Sequence, residues 1–85
     1  MARAAGPDLT GSSQGLARRV GARIREQRNA LGQTLSQTAR AADISVSHLS
    51  SIETGANLPS LPILARIVAV LGLALNDVLL SLIHI

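Results

Sequence analysis

The hydrophobic residues of this 85-residue chain recur at intervals of three and four from Gly15 onwards, a spacing that predicts amphipathic α-helices. The first predicted helix ends at Gly32, in a left-handed cap. Its apolar stripe consists of Leu16, Val20, Ile24 and Leu31. Residues 1–14 are rich in Gly, Pro, Ser and Thr, so we expect a disordered arm there.

A capping box predicts the start of a second helix. The Thr34 hydroxyl should accept a hydrogen bond from the backbone of Gln37, whose side chain should reach back to Thr34. A tight turn at Asp43 should follow, because Asp tolerates the left-handed conformation. Ser45 should then cap a third helix that Gly55 ends. The core-facing positions of these two helices should be Leu35, Thr38, Ala39, Ala42, Leu49 and Ile52.

The C-terminal part of the chain predicts two more helices. Ser60 should cap the fourth, over about 61–71, with Pro62 tolerated in its first turn. Gly72 should end it, and a short fifth helix should follow over about 75–80. We therefore predict an all-α fold, a compact five-helix domain spanning residues 15–80.

The apolar stretch 61–85 has a second interpretation, a membrane span. Arg66, Asn76 and Asp77 interrupt it, as does Gly72. An Arg or Asp near the centre of a span costs roughly 2.5–3.5 kcal/mol. Two short helices explain the pattern better, so we expect no membrane segment.

Composition bounds the chemistry of the protein. The chain has no aromatic residue. It also has no Cys, so it forms no disulfide and no thiolate metal site. His48 and His84 are far apart without ligand partners, so we expect no metal and no cofactor. No nucleophile–base–acid set is evident, and we expect no enzyme activity. The N-terminus lacks an apolar signal segment, and a cytoplasmic location is expected.

The positive charge is concentrated in the first helix. All eight basic residues are Arg, and they face five acidic residues. Between residues 18 and 28 there are five Arg and one Glu. Such a patch suits a polyanion such as DNA, although a solvated helix face is the alternative interpretation.

The second and third helices have the spacing of a helix-turn-helix unit. In such a unit the second helix enters the major groove of DNA, and its first residues touch base edges. The preceding helix places its N-terminus against a phosphate. The outward positions of the third helix are Val46, Ser47, Ser50, Ser51 and Thr54, with His48 towards the flank.

Over Val20 to Leu80 the chain resembles the Xre or phage-repressor family of helix-turn-helix domains, in particular its cupin-linked branch. The segments that carry this resemblance are ARIREQR (22–28), GQTL (32–35), ISVSHLSSIETG (44–55), PSL (59–61) and LGLALNDVL (71–79). Each segment is weakly specific, but the ordered set across about sixty residues is strong. The resemblance implies a DNA-binding transcriptional regulator, most simply a repressor.

The resemblance also implies roles for individual residues. Contacts with base edges are expected from Val46, Ser47, Ser50 and Ser51, although the serines also suit plain solvated surface. Contacts with the DNA backbone are expected from Thr34, Ser36, Gln37, His48, Thr54 and Asn57. The concentration of positive charge, and not the resemblance, adds Arg18, Arg19, Arg23 and Arg25 to the expected backbone contacts. Arg28 and Glu53 match a structural ion pair. The residues alone support that pair, because a partly buried Glu needs a cationic partner and Arg28 lies one turn beyond Ile24.

Three departures from the family pattern affect these expectations. Leu35 occupies a position where some members carry a phosphate-binding Gln, and Thr38 occupies one that is usually Leu. The predicted recognition helix contains no Arg, Lys, Asn or Gln, the residues that make bidentate base contacts. We therefore expect modest sequence discrimination.

The expected partners are double-stranded DNA and a second copy of the chain, bound together on a two-fold operator. The surface expected for the homodimer contact consists of Ile63, Ile67, Val70, Leu73 and Leu75. An antitoxin-type module, which binds chiefly a partner protein and only secondarily DNA, is the alternative function.

The last residues have no counterpart in the family. Residues 81–85 coincide with the in-frame translation of a transposon-end adapter used in sequencing libraries, so we interpret them as a read-through artefact. The natural protein is then expected to continue beyond Leu80, with a C-terminal effector-binding domain by analogy with relatives.

Overall fold

A computed structural model describes the backbone of residues 5–76 and 78 and the side chains of residues 14–76 and 78. In this part of the chain there are four α-helices: α1 (Ala5–Ala30), α2 (Leu35–Ala42), α3 (Val46–Thr54) and α4 (Leu61–Val70). The all-α prediction is confirmed, but the number of helices is corrected from five to four. Leu75, Asn76 and Val78 are helical, yet the Val78 amide reaches the Ala74 carbonyl over a long 3.4 Å. The expected tail at 81–85 lies outside the described residues.

Helix α1 begins at Ala5, well before Gly15. The backbone of residues 5–14, where we expected a disordered arm, is helical. Gly, Ser and Thr are weak helix formers, but an existing helix gains one hydrogen bond per added residue without a new nucleation cost. Pro7 lies in the first turn, where its missing N–H breaks no helical bond.

The predicted start and end of α2 and the predicted caps of α3 and α4 are confirmed. Thr34 and Gln37 form a complete capping box, with hydrogen bonds of 3.0 and 2.8 Å. Asp43 has φ 60°, the left-handed conformation that the tight turn requires. Ser45 caps α3 by accepting from the His48 amide, and Ser60 caps α4 by accepting from the Ile63 amide. Local side-chain chemistry therefore sets the starts of α2, α3 and α4.

The core lies where the helices meet and is aliphatic throughout. The buried residues of its central cluster are Val20, Ile24, Ala39, Ala42, Leu49, Ile52, Leu64, Ile67, Val68, Leu71 and Val78. Thr38 is also fully buried, and its hydroxyl donates to the Gln33 side chain at 2.7 Å. Thr38 stands where the resembled family usually has leucine. Its hydroxyl is hydrogen-bonded, which removes most of the free-energy cost of burying this polar group.

In the described part of the chain, no helix is long and apolar enough to cross a membrane.

One residue predicted at the surface is buried, and one predicted in the core is exposed. Ile67, expected on a dimer surface, is fully buried, because α4 packs against α2 through the face that carries Leu64, Ile67 and Val68. Leu31, expected on the core stripe of α1, is 49% exposed. The Leu31 amide still donates to the Gln27 carbonyl at 3.0 Å, so the helical period continues to Leu31, but the core cluster does not extend to this end of α1.

Helices α1 and α3 approach each other closely at Gly21. A β-carbon added at Gly21 would collide with the Ile52 carbonyl oxygen and would lie 2.6 Å from that of Glu53. At the end of α3, Gly55 has φ 84°, and a β-carbon there would lie 2.7 Å from Cγ of Arg18. Two glycines therefore set the distance between α1 and α3.

We predict that Gly21→Ala destabilises the protein although Ala is the better helix former. Overpacking of a tight contact costs about 1–3 kcal/mol, which outweighs the gain of about 1 kcal/mol in helix propensity. Thermal unfolding followed by circular dichroism should show a lower Tm. Gly15→Ala is the matched control in the same helix: nothing lies within 4 Å of its added β-carbon, and it should raise the Tm. A Gly21→Ala variant as stable as the parent would contradict the close approach.

Candidate functional site

The exposed face of α3 consists of Val46, Ser47, Ser50, Ser51 and Thr54. Val46, Ser47 and Thr54 are exposed, whereas Ser50 and Ser51 are half-buried. Leu49 and Ile52 on the opposite side are fully buried. One side of the helix is therefore fixed in the core, and the other presents hydroxyl and methyl groups to solvent.

The exposed face of α3 continues into a cleft between α1, α2 and α3. This open cleft has a volume of about 220 Å³ and is lined by Arg25, Arg28, Leu35, Ser50, Glu53 and Thr54. It brings Arg25 of the basic patch beside Ser50 and Thr54 of α3. It also places the first residue of α2 at the same site, so the N-terminus of α2 lies on the same side as the exposed face of α3.

The four arginines expected to contact a DNA backbone divide between two sides of α1. Arg25 lines the cleft, and Arg18 packs against Gly55 at the end of α3. Arg23 instead forms an exposed ion pair with Glu26 at 3.4 Å. It also precedes Gln27 by one turn, and the Gln27 amide donates to the Leu71 carbonyl at 3.0 Å. Residues four apart share a helix face, so Arg19 and Arg23 lie on the side of α1 that carries Gln27, away from the cleft.

The remaining predicted contact residues lie around α2 and α3. Thr34, Ser36 and Gln37 are exposed at the start of α2, and the side chains of Thr34 and Gln37 are engaged in the capping box. Asn57 is exposed just after α3, and its backbone N–H donates to the Ser51 carbonyl. His48 is half-buried at the flank of α3. Their contacts with DNA stay predictions.

Arg28 and Glu53 form a bidentate ion pair, as expected. Nε and Nη2 of Arg28 donate to the two carboxylate oxygens at 2.6 and 3.0 Å. Nη1 donates to the Gln33 carbonyl at 2.8 Å. The side chains of Arg28 and Glu53 are only 11% and 5% exposed, so the pair lies in the interior of the domain. A single guanidinium therefore joins α1, the segment before α2, and the last turn of α3.

The electrostatics of this pair keep Arg28 charged. The hydrogen bond to Glu53 raises the pKa of Arg28, burial opposes this, and the nearby negative charge adds to the rise. A group whose pKa is raised on folding contributes stability at every pH below its unfolded pKa, and loses it only as the pH rises through the folded value. The stabilisation that comes from the charge of Arg28 is therefore constant around neutral pH.

Sequence reasoning missed two positioning residues, Gly21 and Gln27. An isolated glycine inside a helical pattern usually has a packing reason, and that signal was available for Gly21. The Gln27 side chain donates a hydrogen bond to a carbonyl 44 residues away in the sequence, and no local pattern indicates such a contact.

In the described part of the chain, no group of three or more His, Cys, Asp or Glu residues is placed to hold a metal ion.

We predict that Arg28→Ala destabilises the domain by about 3–5 kcal/mol, because it leaves the Glu53 carboxylate buried without a partner. Urea unfolding measures this loss. Arg23→Ala removes an exposed pair and should cost less than about 1 kcal/mol. The double variant Arg28→Met with Glu53→Leu removes both charges and should be more stable than Arg28→Ala alone. Equal stability of Arg28→Ala and Arg23→Ala would show that the buried pair does not matter.

Comparison with known proteins agrees with this geometry. Residues 19–80 match the family model described as a helix-turn-helix domain. A crystal structure of the clp gene regulator ClgR from Corynebacterium glutamicum is 34% identical, with a TM-score of 0.74 over 79% of this chain and 86% of that chain. A second crystal structure of this regulator is also 34% identical, with a TM-score of 0.75 over 79% of this chain and 71% of that one. No curated protein matches the chain significantly. With a matched family model over most of its length and this arrangement of α2 and α3, the chain belongs to the helix-turn-helix domain family.

Proposed function

We propose that this chain is a transcriptional regulator that binds double-stranded DNA by inserting α3 into the major groove. The observation that carries the proposal is the exposed face of α3, five small side chains on a helix whose other side is fixed in the core. Small side chains let a helix backbone approach base edges closely, and hydroxyls bind either donors or acceptors there. Membership of the helix-turn-helix family and the similarity to a gene regulator support this function.

The phosphate contacts are proposed on the same side of the molecule as α3. Arg25 lines one cleft with Ser50 and Thr54, and Arg18 lies against the end of α3. The exposed Ser36 and the N-terminal amides of α2 would meet a second stretch of backbone, because helix N-termini attract phosphate. Base contacts from hydroxyls are weak, so phosphate contacts would supply most of the affinity.

We propose further that two copies bind a two-fold operator and repress by occupying it. A single module with a serine-rich α3 makes few base contacts, and two modules on successive turns of the groove would lie roughly 34–36 Å apart. Leu58 and Leu61, between α3 and the first turn of α4, are 52% and 59% exposed. They replace Ile67 as candidates for the apolar contact between the copies.

A selection from a random duplex pool tests the function. The purified chain should enrich an inverted-repeat site and bind it with two chains per duplex. Ser47→Glu should weaken binding by at least about a hundredfold, since like charges brought together across an interface cost several kcal/mol. The matched control is Ala65→Glu, at an exposed position of α4, which should bind almost normally. Failure to enrich any duplex would refute DNA binding, and one chain per duplex would refute the dimer.

We predict that Arg25 and Arg23 differ in their contribution to the salt dependence of binding. The logarithm of the association constant should fall linearly with the logarithm of the salt concentration, by about 0.9 per phosphate contact. Arg25→Ala should reduce this slope by about 0.9, whereas Arg23→Ala should leave it unchanged. Both arginines carry surface side chains, so each variant should stay folded. Equal slopes for the two variants would contradict the division of α1 into two sides.

A further inference from the structure

Val46 is the only apolar side chain on the exposed face of α3, whose other members all carry hydroxyls. It is 44% exposed. It is absent from both the core cluster and the half-buried side chains that pack on that cluster. Core packing therefore does not account for an apolar residue at this position.

The backbone holds Val46 in a defined position as the first residue of α3. The Ser45 hydroxyl accepts from the His48 amide at 3.0 Å, which fixes the first turn. The Ile44 amide donates to the Ala39 carbonyl at 2.9 Å, which fixes the turn between α2 and α3. A β-branched side chain has few χ1 rotamers, so its methyl groups are well ordered before any partner arrives.

The major groove offers one apolar group to such a side chain. Guanine, adenine and cytosine present hydrogen-bond donors and acceptors there, whereas thymine also presents a methyl group. Valine methyls placed against a polar base edge would remove water from that edge without replacing its hydrogen bonds, which is unfavourable. Against a methyl group they bury apolar surface, which is favourable.

We infer that Val46 recognises the methyl group of a pyrimidine in the major groove, and that this contact is the main base discrimination made by α3. The inference rests on the proposed function and specifies its ligand, a duplex with a methylated pyrimidine opposite Val46. Burial of one methyl-sized group is worth about 0.8 kcal/mol, or about fourfold in affinity for each half-site. Thymine and methylated cytosine share this chemistry.

Deoxyuridine, which is thymine without its methyl group, tests the inference. The duplex enriched from the random pool is resynthesised with each thymine replaced singly by deoxyuridine. One position in each half-site should lose about fourfold in affinity for the parent chain. Val46→Ala should bind the thymine and uracil duplexes equally at that position. This variant should stay folded, because Val46 lies outside the core and Ala is the better helix former.

A second comparison distinguishes the two sources of the methyl group. Cytosine and methylated cytosine are placed in turn at the sensitive position, each with its guanine partner. Methylation should strengthen binding of the parent chain by about fourfold and leave Val46→Ala unaffected. Strengthening by methylation shows that the methyl group is recognised on either pyrimidine, whereas no response to cytosine methylation would contradict recognition of the group that the two pyrimidines share and overturn the inference.

Leu31→Ala is the matched control, because Leu31 is an exposed apolar residue outside α3. It should keep the full response to uracil. An enriched site without a thymine, or an equal uracil response in the parent chain and Val46→Ala, would overturn this inference while leaving DNA binding intact. Enrichment of no duplex at all would overturn the proposed function at the first step, and this inference with it.

Discussion

The arrangement of the first three helices depends on two charges removed from water. Arg28 and Glu53 are almost fully buried, and their hydrogen bonds run from α1 to the last turn of α3. A buried pair of this kind adds little net stability, but either charge alone in the core would be strongly unfavourable. Only arrangements that bring both groups together are therefore accessible. The third bond of the guanidinium, to the Gln33 carbonyl, extends this constraint to the segment that leads into α2.

The glycines and caps around this pair make α3 a rigid element. Gly21 lets α1 approach the backbone of α3, and Gly55 ends α3 against Arg18 in a left-handed conformation. Ser45 fixes the other end. Every part of α3 is thus determined either by a neighbouring helix or by a cap. A surface held in this way loses little conformational entropy when it binds a partner.

The rigidity of α3 matters because its exposed face carries few groups that can form strong hydrogen bonds or ion pairs. Its serines are short and lack the paired donors and acceptors that distinguish bases strongly. For the proposed DNA binding, most of the affinity would then come from charge. The charge on α1 is divided, because Arg25 lines the cleft beside α3 whereas Arg23 is paired with Glu26. This combination suits a protein that relies on phosphate contacts, close backbone approach and repetition of the module more than on individual base contacts.

The sequence by itself determined the local structure of this protein. The capping box at Thr34, the left-handed Asp43 and the caps at Ser45 and Ser60 depend on residues three or four apart, and all were predictable. The Arg28–Glu53 pair was also predictable, because a largely buried carboxylate needs a cation. Tertiary structure decided what depends on the distance between helices. It placed Ile67 in the core, exposed Leu31 and put Arg25 of α1, but not Arg23, in the cleft beside α3. Helical period fixes which residues share a face, but only the packing of other helices decides which face is covered.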